Sequence, residues 1–161
     1  MKTIATCIIL SLVITTSALT QSKSFLTLKE KFSNGKDVYS FSTSGLFART
    51  ILWMAGEHEF NDAIKSIKNI SLITVPKSAF KSEGVTVSGF KKVLREDSFE
   101  ELVRVKDHGD DVTMYIKPTQ NRNNRYIILV EEYDEVVVIE LKGYVDPDFL
   151  LKNESLTFAN P

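Results

Sequence analysis

The chain has 161 residues, 20 basic and 21 acidic side chains, and a formal net charge of −1. That length suits one domain with enough chain to bury its own core, and a hydrophobic share of 43% excludes wholesale disorder. Near-neutral charge excludes the clustered basic excess of a nucleic-acid-binding surface.

Residues 1–20 have the pattern of a signal peptide. Lys2 supplies a minimal positive start, Ile4 to Ile14 form an apolar run, and Thr15, Thr16, Ser17, Ala18 and Thr20 are small. Cleavage after Thr20 leaves Gln21 as the first residue, and cleavage after Ala18 fits the pattern nearly as well. The apolar run is too short to span a hydrocarbon core of about 30 Å, so we expect no transmembrane segment in the mature chain. Cys7, the one cysteine, lies inside the apolar run and not after it, which argues against lipid anchoring. The expected location is exported, periplasmic or secreted. One cysteine also excludes a disulfide framework and any paired-cysteine zinc site.

In residues 21–161 we read a single α+β domain. Phe25, Leu28 and Phe32 predict a helix over Ser24 to Phe32, capped by Ser24 and ended by Asn34-Gly35. Asp37 to Ser42 alternates and predicts a short half-buried strand. Leu46, Phe47, Thr50, Ile51 and Met54 form the apolar stripe of a helix over Ser44 to Met54, and Phe60, Ala63, Ile64 and Ile67 mark a second one. Ile70 to Val75 is β-branched and ends at Pro76, as a strand would. Lys77 to Ser88 carries mixed signals, and Ser88 to Arg95 predicts a helix with Phe90, Val93 and Leu94 inward.

The C-terminal half reads as two β-hairpins. Glu101 to Lys106 and Val112 to Lys117 flank Asp107-His108-Gly109-Asp110-Asp111, while Tyr126 to Glu131 and Glu135 to Leu141 flank a turn at Tyr133-Asp134. Asp146-Pro147 predicts the start of a closing helix. The expected architecture is a largely antiparallel sheet, two helix-interleaved strands plus two C-terminal hairpins, with helices mainly on one face.

These residues carry a resemblance. The chain resembles the DUF4252 family in its leader, in the Val38 to Phe41 strand running into the Ser44 to Met54 helix, and in Ile64 to Val75. The longest similar run covers Glu100 to Asp107, Val112 to Lys117, Ile127 to Val130, and Val136 to Gly143 with Asp146 after it. The resemblance implies a small exported protein of Bacteroidota-type bacteria with no assigned activity, and it carries over no catalytic residue. Several such proteins resemble lipoproteins with a cysteine after the leader; this chain departs from them there.

Two acidic clusters are the candidate binding residues: Asp107, His108, Asp110 and Asp111 at one hairpin turn, and Glu131, Glu132, Asp134 and Glu135 at the other. Carboxylates beside an imidazole suit a divalent cation or acid–base work. Gly and Asp also make ordinary turns, and we favour that reading here. If both turns share one end of the sheet, they form an acidic rim for Ca²⁺ or a basic partner. Glu57-His58-Glu59 has ligand types without a third anchor. GxSxG, HExxH, GxGxxG and Walker patterns are all missing. We therefore expect no enzymatic activity, no cofactor and no resident metal. The expected role is a non-enzymatic interaction module of the cell envelope, its partner an unknown protein or envelope component. The alternative is a carrier of a small apolar ligand or lipid, lined by Trp53 and by the Phe residues at 41, 47, 60, 80, 90 and 99.

Overall fold

The computed structural model describes residues 21–46, 48, 66–107, 109–120 and 123–145. In chain order these contain α1 (Lys23–Phe32), β1 (Tyr39–Ser44), β2 (Ile67–Pro76), α2 (Lys77–Ser82), α3 (Val87–Glu96), β3 (Glu100–Asp107), β4 (Asp110–Lys117), β5 (Asn124–Glu131) and β6 (Glu135–Gly143). The six strands make one antiparallel sheet in the order β1-β2-β6-β5-β4-β3. After β2, the chain crosses the sheet through α2 and α3 to the far edge. It then returns strand by strand until β6 closes against β2.

The described helices all pack on one sheet face. Phe25, Leu28 and Phe32 recur on one side of α1 and are buried; so are Phe80 of α2 and Phe90 and Leu94 of α3. They meet the inward residues Ile73 and Val75, Val136 and Val138, Ile127 and Leu129, and Tyr115. The Phe32 and Phe80 rings, 4.8 Å apart, join α1 to α2. Burying each such side chain stabilises the fold by roughly 1.5–3 kcal/mol before the entropy of ordering is subtracted. The inward face is polar at both ends of this apolar middle. Asp111 and Glu131 stand at one end; Ser71, Glu140 and Arg125 stand at the other.

Several sequence expectations need correction. Ser22, not Ser24, caps α1, its hydroxyl accepting from Phe25 N. Ser24 instead donates to Asp97, its backbone N–H and hydroxyl each 2.9 Å from Oδ2. Thr86, not Ser88, caps α3 by accepting from Gly89 N at 2.9 Å. The mixed stretch after Pro76 folds as α2 and a turn, separate from α3. The strand β1 is exposed, not half-buried, because it is a sheet edge whose aromatic face points away from the described helices; Tyr39 is 68% and Phe41 54% exposed. Ile67 opens β2 instead of ending a helix. Residues 45 and 46 turn helical directly after β1. The rest of the helix expected to Met54, the helix expected from Phe60, residues 1–20 and the closing segment from Asp146 lie outside the described residues.

Candidate functional site

The two hairpin turns lie at the same end of the sheet. The strand β5 runs back beside β4, so Asp111 and Glu131 become register partners, while Glu135 starts β6 opposite Pro76. Asp107 pairs with Asp110 across the first turn, where Gly109 adopts a φ of 108° that side chains rarely allow. His108 and the side chain of Asp107 lie outside the described residues. The second turn is closed by Glu132 N donating to Glu135 O at 3.1 Å, and Lys77 N ties it to the head of α2 through Asp134 O at 2.7 Å.

Asp111 is the most strongly engaged carboxylate of this rim. The Arg104 guanidinium grips it in a fork, with Nε 2.9 Å from Oδ1 and 3.1 Å from Oδ2 and Nη2 on Oδ2 as well. Lys91 Nζ of α3 lies 4.0 Å from Asp111 and 2.6 Å from Glu131, and Lys106 Nζ lies 3.9 Å from Asp111. The Arg104 hydrogen bonds first, then the charges of Lys91, Arg104 and Lys106, hold the Asp111 carboxyl down to about 2 against the opposing effect of burial. A carboxylate held so firmly ionised by side-chain partners is a structural anion, and Asp111 and Glu131 are turned toward lysine and arginine. Asp110 and Asp134 stay exposed beside them, with Glu132 and Glu135 half-buried. Among the described residues, no group of three His, Cys, Asp or Glu side chains is arranged to hold a metal ion.

The opposite end of the inward face holds a cluster that sequence reading missed. Glu140 is only 2% exposed, between Ser71 on β2 and Ile127 on β5. Its Oε1 accepts from Ser22 N at 2.7 Å and from Arg125 Nη1 at 3.1 Å. Burial pushes its carboxyl above the usual range, although Ser22 and Arg125 both pull it down. Gln21 Nε2 donates to Ser42 Oγ and Ser71 Oγ, each at 2.9 Å. One residue pair further along, Asp97 accepts from Ser24 and from Lys117 Nζ at 2.8 Å; these bonds outweigh its burial and hold it below the ordinary value. A signal was present: in β6 the inward phase runs Val136, Val138, Glu140, so the glutamate occupies an apolar position.

The other sheet face is apolar across its width. Tyr39 and Phe41 stand on β1 at one edge, with Leu72, Ile139, Ile128 and Met114 in successive strands across the sheet from Phe41. Val103 and Val105 close the opposite edge on β3, at 49% and 47% exposure. The aromatic residues expected to line a cavity divide differently. Phe80, Phe90 and Phe99 are core, Phe41 is exposed, and Phe47, Trp53 and Phe60 lie outside the described residues. An open cleft of about 470 Å³ lies between the end of α1, the following turn and α2; Lys31, Lys36, Asp37, Ser78 and Glu83 give it a polar lining.

The family model described as a domain of unknown function (DUF4252) matches residues 15–152. Comparison with curated proteins and with solved structures gives no match.

Proposed function

We propose that this chain, which belongs to the DUF4252 family, is an exported, non-enzymatic interaction module of the cell envelope that binds a protein partner along the edge strand β3. The observation that carries this reading is the edge itself. Leu102, Val103 and Val105 are each about half exposed on a strand whose outer side has no neighbour among the described residues. Exposed apolar residues on an unpaired edge are a template for adding a strand from another chain; in β3 they stand beside the charged Arg104 and Lys106, at or after a bulge between Glu101 and Val103. The exposed Asp110, where the turn after β3 enters β4, adds an electrostatic preference for a partner with a basic residue beside its apolar ones. Export is supported by the leader pattern of residues 1–20. No helix among the described residues is long and apolar enough to cross a membrane.

The test places a photoreactive residue at position 103 or, as control, at position 92 on α3, whose side chain is 73% exposed. The full chain is then cross-linked in exporting cells. The reading expects a discrete adduct from position 103 that position 92 does not give and that Val105→Lys removes. Equal labelling from both positions overturns it.

A further inference from the structure

One oxygen of Glu140 is matched twice and the other not at all. Oε1 receives Ser22 N and Arg125 Nη1, whereas Oε2 is buried with no hydrogen-bond partner. An ionised carboxylate buried with half its acceptor capacity unmet is costly. Ser22 at the head of α1 already touches Oε1, so the backbone just before it is held near this carboxyl. Consecutive backbone nitrogens lie at most about 3.7 Å apart. Gln21 N therefore lies within about 6.5 Å of Oε1, given that Ser22 N is 2.7 Å from it. Within an intact peptide bond that nitrogen has one hydrogen, fixed in the amide plane.

We propose that the chain is cut between Thr20 and Gln21, and that the α-ammonium so formed is the partner of Glu140 Oε2. A leader peptidase adds water across the bond: the Thr20 carbonyl carbon gains the hydroxyl, the C–N bond breaks, and Gln21 departs as an amine that takes up a proton. The cut precedes folding, since Gln21 is only 8% exposed afterwards. The ammonium has three donors on a freely turning bond, adds a positive charge to that of Arg125, and is held within about 6.5 Å of the carboxyl whose Oε2 is unmatched. Burial pushes the Glu140 carboxyl toward its neutral form, and an adjacent ammonium restores the ionised one.

A second observation selects this bond over the one after Ala18. The side chain of Gln21 is built into the fold, its amide shared between Ser42 on β1 and Ser71 on β2, whose hydroxyls are themselves 3.0 Å apart. A cut after Ala18 leaves Leu19 and Thr20 ahead of this anchored residue and carries the charge away from Glu140. The same tether opposes loss of the charge by cyclisation, in which the amine attacks Cδ, the Cδ–Nε2 bond breaks and ammonia leaves.

The proposal rests on reading residues 1–20 as a leader, and the experiment separates the two. The full chain is exported under its own leader by a bacterial host, and its intact mass and first residue are determined. The expected product starts at Gln21 with a free amine. An uncut chain overturns the leader reading and the proposal together; a start at Leu19, or a product lighter by one ammonia, overturns the proposal alone. The amine is then titrated by the pH dependence of its acetylation. It should titrate about one unit or more above the ordinary ~7.7–8.0, which slows acetylation at neutral pH about tenfold. Glu140→Gln should return it to the ordinary range, as should one glycine inserted between Thr20 and Gln21, which leaves Glu140 in place. An ordinary titration in the unaltered product overturns the pairing while the leader reading stands.

Discussion

Asp111 and Glu131 face each other across β4 and β5, and Lys91 reaches from α3 to both, 2.6 Å from Glu131 and 4.0 Å from Asp111. One lysine therefore fastens a helix to both hairpins at the end where they turn. This makes the acidic rim partly internal: the carboxylates that the hairpins bring together are occupied by cations of the same chain.

This network should be visible in acid. The Asp111 carboxyl titrates near 2 in the folded chain and near 3.8 without its partners. A depressed acid stabilises the fold above its unfolded value, and that contribution is lost as pH falls from 3.8 toward about 2. Asp97, also held low by Lys117 and Ser24, acts in the same direction. Thermal unfolding of Asp111→Asn should show a lower melting temperature than the unaltered chain at neutral pH. The gap should close as pH falls through that window. A gap that stays constant with pH would assign the loss to packing and not to charge.

The apolar middle of the inward face should be far less tolerant than its rim. Leu94 of α3 is fully buried against the sheet. Leu94→Ala removes its contacts and leaves a cavity, and should cost about 2–5 kcal/mol in urea unfolding. Two residues earlier, Lys92 is 73% exposed in a pair with Glu96 at 3.8 Å. Lys92→Ala should change stability by no more than ~0.5 kcal/mol. Similar losses at both positions would contradict the placement of α3.

What the sequence reveals and what it hides follow from how local each feature is. The four strands from Glu100 to Gly143 are legible because a period of two is written into each and the turns between them are short. Helix caps are displaced by two residues where hydroxyl residues crowd the site, as with Ser22 beside Ser24 and Thr86 beside Ser88. That β6 enters between β2 and β5 is a long-range pairing with no local mark. For the same reason the alternation over Asp37 to Ser42 reads as a half-buried strand, although nothing in that segment tells an exposed edge strand from an inner one. The shared end of the acidic turns depends on β4 and β5 being neighbours, which the register of Asp111 with Glu131 supplies. Glu140 was hidden because its partners Ser22 and Arg125 come from other elements, 118 and 15 residues away.

Gly143 marks where β6 leaves the sheet. Its φ is 148°, and a Cβ there would lie 2.2 Å from Ser66 O and 2.7 Å from Ile67 Cα. Both obstacles are backbone of the segment entering β2, which cannot rotate aside as a side chain can. Gly143→Ala should therefore destabilise the chain by at least the roughly 1–3 kcal/mol of a strained backbone position. Urea unfolding checks this, and an unchanged midpoint would mean that the two segments do not approach so closely.

The edge strand β3 separates stability from contact. Val103 and Val105 lie opposite Met114 and Val112 at the rim of the apolar face, where about half of each side chain already meets solvent. Replacing both with lysine removes little buried area, so the unfolding free energy from urea titration should stay within ~0.5 kcal/mol of that of the unaltered chain. The same change places two charges on the edge that a partner strand would have to cover. In cells set up for export, cross-linking through an unaltered β3 position, Leu102, should fall to the level of the α3 control. Loss of the fold together with the contact would show that the two valines serve the core; a retained contact in a folded double variant would move the interface away from β3.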